Sequence, residues 1–416
     1  MAGRDITGKP GRLRRQGAVA ARAGDGATPA PVSGYDGAMN ETEIERPRVL
    51  VLLGTQYFPP FIDQLAELNR EGKGPRAWLF DLTAEITQLD QRFLTKPPRW
   101  LLAVYRRIPI WAAQAAEAFR VRRRYDVVFA WGAEPVAMTF ALMLKLTRSR
   151  VPFVTLFNWI SPAKKAWFLR AVGSHMTKLI LPPVTQQEFA LGRLAMPPAK
   201  VVDIPWSIDE EFWQSPDGAA PDMICAVGRE MRDYETLIKA LDGTGIPCHI
   251  AGGLVRGKQD RWRRALGDSG ERTALPDNVT VGPKNPVELR DLYARSRFVV
   301  LPLYPSDTDN GITCMLEAWS MSRPVICSQI EGQRGALQHG RNGLFVPPRD
   351  AEALRKAIVD LWDHPEEAAR MGAEGRRAVL EHRRVGRFAR ELSDVLRQAA
   401  PSPRQRPAAD GLPSPR

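Results

Sequence analysis

The segment SDTDNGITCMLEAWSMSRPVI (306–326) carries two carboxylates, Asp309 and Glu317, eight positions apart around a polar entry made by Asn310, Gly311 and Thr313. Its pattern runs from the end of a strand into a helix. At such an entry the free backbone N–H groups and the positive end of the helix dipole face whatever sits there, which suits a diphosphate. A carboxylate beside it can accept hydrogen bonds from the hydroxyls of a sugar or ribose. The plainer alternative is an N-capping Asp and a surface Glu. Asp307-Thr308-Asp309 also spells D-x-D, a triplet able to hold a divalent metal. Here it immediately precedes a helix start, where positive charge is already supplied, so the expectation is a site without metal. A second strand–loop–helix segment, VGREMRDYETLIKAL (227–241), places Arg229 and Arg232 in its loop. Two guanidiniums there could neutralise a diphosphate leaving group. The alternative is a pair of solvated arginines.

These segments need a scaffold that brings strand ends together. RVLVLLG (48–54), YDVVFAWG (125–132), VPFVTLF (151–157) and TKLILP (177–182) read as buried strands separated by helical patterns. A second series follows in MICAVG (223–228), PCHIAGG (247–253), NVTVG (278–282), RFVVLPL (297–303) and PVICS (324–328), with helices at 233–242, 286–295, 313–322 and 350–362. Strands alternating with helices imply parallel β-α-β units. Two such series predict an α/β chain of two doubly wound domains facing across a cleft, at 46–208 and 209–399, with disordered tails at 1–45 and 400–416. The Gly/Ala-rich start and the tail PSPRQRPAADGLPSPR have the composition of such tails. Ligands of parallel sheets bind at the carboxyl ends of the strands, here in the cleft.

Five pieces in order resemble family 4 of the retaining glycosyltransferases. GREMRDYETLIKAL resembles the start of that family's second domain. DNGITCMLEAWSMSRPVI resembles its two acids eight apart followed by E-A-x(3)-G-x-P-V-I. VVDIPWSIDEEFW (201–213), VTVGPKNPVELRDLYARSRFVVLP (279–302) and HGRNGLFVPPRDAEALRKAI (339–358) resemble its linker, its strand–Gly–helix–strand element and its N-G-x-L-V-x-P-x-D stretch. The resemblance is strong over about 201–385 and weaker over 48–200. It implies the GT-B fold and transfer of a sugar, with retention, from a nucleoside-diphosphate sugar to a glycan or lipid-linked acceptor in cell-envelope or polysaccharide synthesis. No cofactor beyond that co-substrate is implied. By position, Arg229 and Arg232 would bind the diphosphate, Asp309 would sit by the transferred sugar, and Glu317 would hold the ribose. Gly311, Ile312 and Thr313 would offer N–H groups, and the loop Gly282 to Lys284 would border the base. On the acceptor side, Gly54 ends the first strand, where the loop GTQYFPP has one glycine in place of a Gly-rich run. Asn158 stands where many members carry His, and Asp309 where most carry Glu.

Composition narrows the remaining classes. The 416 residues are 44% apolar and 25% charged, ordinary for a folded chain. No run of about 18 apolar residues offers a membrane span. The basic N-terminus is not followed by an apolar run and does not read as a secretory signal. Cys225, Cys248, Cys314 and Cys327 are far apart in apolar runs and read as core thiols of a reducing, cytoplasmic compartment. The net charge is +12, and residues 92–200 hold eighteen Lys/Arg against Glu117, Asp126, Glu134 and Glu188. TKPPRWLLAVYRRIPIWAAQAAEAFRVRRRY (95–125) and SPAKKAWFLRAV (161–172) interleave that charge with tryptophan. This suits a face docked on anionic lipid at the inner side of a membrane, or equally two helices packing Trp inward with solvated arginines. A catalytically weak GT-B-like protein docked on acidic lipid is the alternative function. No nucleic-acid motif accompanies the charge.

Overall fold

The computed structural model describes residues 46–54, 62–90, 97–216, 218, 220–252 and 275–402. The expected tails up to 45 and from 403, and the loop following Gly54, lie outside the described residues.

The first sheet is built from β1 (Arg48–Leu53), β2 (Glu85–Leu89), β3 (Val127–Trp131), β4 (Phe153–Leu156), β5 (Lys178–Ile180) and β6 (Val201–Val202). All pairs are parallel, in the order β2-β1-β3-β4-β5-β6. Its central strands β1, β3 and β4 are almost wholly apolar and buried, as parallel strands covered on both sides must be, whereas the edge strand β2 is partly polar and partly exposed. Leu50 and Leu52 of β1 face a layer made by α3 (Ile110–Val121), α4 (Glu134–Leu146) and α5 (Ala163–Val172), which pack side by side. The alternate residues Val49, Val51 and Leu53 face the other way. Two shorter helices, α1 (Ile62–Arg70) and α2 (Arg99–Tyr105), precede this layer, and α6 (Val184–Glu188) follows it.

The second sheet contains β7 (Met223–Val227), β8 (Cys248–Ala251), β9 (Val279–Val281), β10 (Ser296–Leu301), β11 (Val325–Ser328) and β12 (Gly343–Val346). It too is parallel, in the order β12-β11-β10-β7-β8-β9. Among the described residues the helices in this part of the chain are α7 (Tyr234–Leu241), α8 (Pro286–Arg295), α9 (Ile312–Ser320), α10 (Ala351–Asp363) and α11 (Pro365–His382), followed by α12 (Val385–Ala399). Again the strand alternates: Cys225 and Val227 join the core under α9, and Ile224 and Ala226 the core under α7 and α10.

Helix α12 lies within the span 209–399 yet packs on the first sheet. Val385, Phe388, Ala389, Leu392, Val395, Leu396 and Ala399 form its apolar stripe against Val49, Val51, Phe129 and Val154. The spacing i, i+3, i+4, i+7 puts these residues on one helix face. Trp206 of the connecting segment stacks on Phe388 with centroids 6.3 Å apart, and Thr83 N–H donates to Ser393 Oγ at 3.0 Å. The chain therefore crosses between the two sheets twice, once near 203–222 and once near 383.

Candidate functional site

The loops after β7 and β10 are hydrogen-bonded into one frame. Asp233 N–H donates to the Pro302 carbonyl at 2.9 Å, and Tyr304 N–H donates to Met231 at 3.0 Å. The two segments singled out in the sequence are thus neighbours at the carboxyl ends of adjacent strands.

Arg232 is the centre of that frame. It is buried, donating from Nε to the Val227 carbonyl at 2.8 Å, from Nη1 to Glu230 at 2.7 Å, and from Nη2 towards Cys314 Sγ at 3.5 Å. A glycine borders the guanidinium on each loop. A Cβ at Gly228 would lie 2.2 Å from Nη2, and one at Gly311 3.0 Å from it. Both glycines have left-handed backbones, with φ of +99° and +88°, so side chains are excluded twice over. Arg232 therefore supplies fixed positive charge beneath the helix start. Arg229 differs: it is exposed and makes no hydrogen bond or ion pair with another described residue, leaving its fork available.

Gly311 caps α9 without a side chain, and Ile312 N–H turns back onto the Asp309 carbonyl at 3.1 Å. Among the described residues no acceptor takes the N–H of Gly311 or Thr313. Thr313 is exposed, whereas Ile312, expected to offer its N–H, has that group on Asp309 and its side chain buried in the core. Asn310 turns inward: its Nδ2 donates to Ser306 Oγ at 2.9 Å, and its carbonyl accepts from Gln333 Nε2 at 2.8 Å. It braces the loop.

The two carboxyls share one electrostatic character. Burial pushes Asp309 up to about 7, against hydrogen bonds from Trp206 and Thr308 and the charge of Arg383. Burial likewise pushes Glu317 up to about 7, against the Tyr293 hydroxyl and the charge of Arg232. Tyr293 donates to Glu317 Oε2 at 2.7 Å. Cys314 is only half-buried and lies between Arg232 and Glu317, so it belongs to the site and not simply to the core, as its sequence context suggested. Its thiol is pushed up to about 11 by burial and stays neutral. The other three cysteines are buried and free.

The remaining site residues lie further out. Gly282 and Lys284 follow β9, two strands from β7, and make no hydrogen bond to the Arg232 frame. Gly282 accepts at its carbonyl from the His249 ring at 3.3 Å. Lys284 borders a cavity of about 810 Å3 lined mainly by strand starts such as Met223 and Cys248, away from the carboxyl ends. Gly54 is required by packing: a Cβ there would lie 2.2 Å from the Gly132 carbonyl at the end of β3. Asn158 is exposed, and its carbonyl accepts from Thr308 Oγ1 at 2.8 Å, which joins the first domain to the D-x-D loop. Asp307 Oδ1 accepts the Trp159 indole N–H at 2.8 Å. Trp159, Gln186 and Arg383 thus shape the site with no motif to mark them, whereas Trp206 and Tyr293 lie inside the segments 201–213 and 279–302 but nothing singles them out there.

Two parallel six-stranded sheets with flanking helices and ligand-type loops at facing strand ends define the GT-B class. The fold of HepE from Anabaena in complex with UDP and glucose overlays with a TM-score of 0.63 at 15% identity, covering 85% of this chain and 100% of that one. Residues 227–364, within the second domain, match the family Glycosyl transferases group 1. The chain is similar to the D-rhamnosyltransferase WbpZ of Pseudomonas aeruginosa, 30% identical over 164 residues, 39% of this chain and 41% of the relative. It is also similar to the O-antigen chain mannosyltransferase C of Escherichia coli, 26% identical over 193 residues, 44% of this chain and 50% of the relative. The matches span half or less of these curated relatives. No helix among the described residues is long and apolar enough to cross a membrane.

Proposed function

We propose that this protein is a retaining glycosyltransferase that moves a sugar from a nucleoside-diphosphate sugar to a glycan or lipid-linked acceptor. Cell-envelope polysaccharide synthesis is the setting the relatives' names favour. The observation that carries the reading is the frame in which Arg232, the open N–H groups of α9 and Glu317 converge at one strand end.

In this reading the diphosphate sits at the N–H groups of Gly311 and Thr313, with Arg229 closing over it and Arg232 beneath. Glu317, oriented by Tyr293, accepts from the ribose hydroxyls, Asp309 stands by the sugar, and the loop Gly282 to Lys284 borders the base. The bond between the anomeric carbon and the phosphate oxygen breaks as the acceptor oxygen bonds to that carbon from the same face. The acceptor proton passes to the leaving phosphate oxygen. Asn158 can position a sugar but cannot take a proton, so the leaving group serves as base. The charge of the leaving diphosphate is met by guanidinium and helix dipole, and Asp307 already accepts from Trp159, so no metal is assigned.

The acceptor side extends the reading to a membrane. Trp100 and Trp167 are 71% and 70% exposed, and Val104, Ile108, Ile110 and Trp111 are exposed with them. Arg99, Arg106, Arg107 and Lys164 stand among these residues. Helix α2 packs on α3, and α3, α4 and α5 form one layer, so an anionic inner membrane face is the partner this composition suits. Arg122 is not part of it: it lies over the Phe119 ring at 3.5 Å and donates to Ser149 at 3.2 Å. Arg120 pairs with Glu117.

Thermal-shift measurement against nucleoside-diphosphate sugars tests the proposal. A true donor at a hundred times its Kd stabilises by about 2.7 kcal/mol. A flat response across uridine, guanosine, adenosine and thymidine diphosphate sugars would sink it.

A further inference from the structure

Gln186 is fully buried, and its amide touches two loops from different domains. Its Oε1 accepts from the N–H of Ile160 at 2.8 Å and of Ser161 at 3.1 Å, inside the first domain. Its Nε2 donates to the carbonyl of Asp307 in the second domain at 2.6 Å. The same carbonyl accepts from Thr185 Oγ1 at 2.7 Å. Trp159 and Asn158 add their bonds to Asp307 and Thr308 at 2.8 Å each. Behind the loop, Gly332 comes so close that a Cβ there would lie 1.9 Å from the Thr308 carbonyl. The loop that carries Asp309 and starts α9 is therefore held between Gly332 on one side and Gln186 on the other.

An amide is the side chain this place requires. A hydrocarbon would leave the N–H groups of Ile160 and Ser161 and the Asp307 carbonyl without partners in a buried position. A carboxylate could accept from the first pair but would turn a second oxygen on the Asp307 carbonyl. One oxygen and one NH2 on a rigid plane read both loops at once. We infer that Gln186 is a positioning residue that sets the acceptor-side loop 158–161 and the donor-side loop 306–311 as one unit, so that Asp309 and the start of α9 take their place relative to the acceptor. This rests on the transferase reading for its consequence, but not for its test.

Gln186→Glu separates the two arms. It keeps an acceptor for Ile160 and Ser161 and removes the donor to Asp307. Protonation of the new carboxyl returns an O–H donor, so the defect should be reversible with pH. The readout is amide hydrogen exchange of the unliganded protein, each pH compared with the wild type at that pH. At about pH 8 peptides covering 306–311 should exchange up to about tenfold faster than wild type, the scale of one lost hydrogen bond, while 158–161 stays protected. Near pH 5, close to the ordinary range of a glutamic acid, the difference should shrink. With a donor identified, kcat should fall by a similar factor while the donor KM changes less than about twofold, because one hydrogen bond of placement is lost and the donor contacts remain. Unchanged exchange at 306–311, or equal loss of protection in both loops at every pH, overturns the inference. Should Gln186→Glu not fold, Thr185→Val removes a neighbouring donor to the same carbonyl and is read by the same exchange at 306–311. A wild type that binds no nucleoside diphosphate would overturn the transferase reading alone, since the exchange experiment contains no nucleotide.

Discussion

Tyr293 donates its hydroxyl to Glu317 at 2.7 Å, and this bond fixes a carboxyl that burial has pushed up to about 7. The folded state thus favours the protonated acid, whereas the unfolded chain releases that proton near the ordinary value of about 4.3. Stability from this group is fully present at pH values below about 4 and is lost as pH rises from there through 7. Asp309, pushed up to about 7 by burial as well, acts in the same direction. Glu317→Gln keeps an acceptor for Tyr293 and removes the titration. Its melting temperature relative to wild type should rise between about pH 5 and 8, measured without ligand. A constant difference across that range would show that Glu317 ionises normally in the fold.

Arg229 and Arg232 should separate in mutagenesis. Arg229 is exposed and bonds to no other described residue, so Arg229→Ala should leave the melting temperature unchanged. Nucleoside-diphosphate affinity should weaken by about 1.5–3 kcal/mol, the range for a charge-assisted hydrogen bond. Arg232→Ala removes bonds to two backbone carbonyls and should destabilise the fold as well as the affinity. Calorimetry beside thermal melts distinguishes them. Equal loss of stability in both variants would contradict the division.

Much of this frame was legible in the sequence, because its chemistry is local. Strand–loop–helix patterns placed Arg229, Arg232 and Asp309 on loops at strand ends and Glu317 on the helix that follows, and the structure brings the two loops together. Strands β2, β6 and β12 escaped because they are short or only partly buried: β6 has two residues, and β2 is exposed or half-buried at four of five positions. The return of α12 to the first sheet could not be read from its stripe, which says only that one face is buried. Gln186 and Trp159 act over separations of 121 and 148 residues, and no local pattern encodes such a bond. The run Arg122 to Arg124 looked like part of a lipid face; Arg122 instead turns back onto the Phe119 carbonyl at the end of α3 and reaches Ser149.

Metal dependence follows from the same loop. With the Asp307 carboxylate accepting from Trp159 and positive charge supplied by Arg232 and α9, sugar transfer should survive an excess of EDTA. Loss of turnover, restored by manganese or magnesium, would reassign Asp307 and Asp309 to a cation.

Lipid docking is tested by co-sedimentation. Binding to anionic vesicles should disappear with neutral ones and fall steeply as salt rises and the Debye length shortens. Trp100→Ala with Trp167→Ala should weaken it, as should Arg106→Glu with Arg107→Glu, at about 1 kcal/mol per basic residue removed. Arg122→Glu should matter less than either. A protein that stays in the supernatant with anionic vesicles at low salt has no such face.

The central claim is that the Arg232 frame at the start of α9 is the donor site. A crystal structure with a nucleoside-diphosphate sugar that stabilises the protein tests it most directly. The account places the diphosphate between Arg229 and the N–H groups of Gly311 and Thr313, with the ribose hydroxyls on Glu317. A nucleotide bound elsewhere, with Glu317 still engaged only by Tyr293, would contradict it.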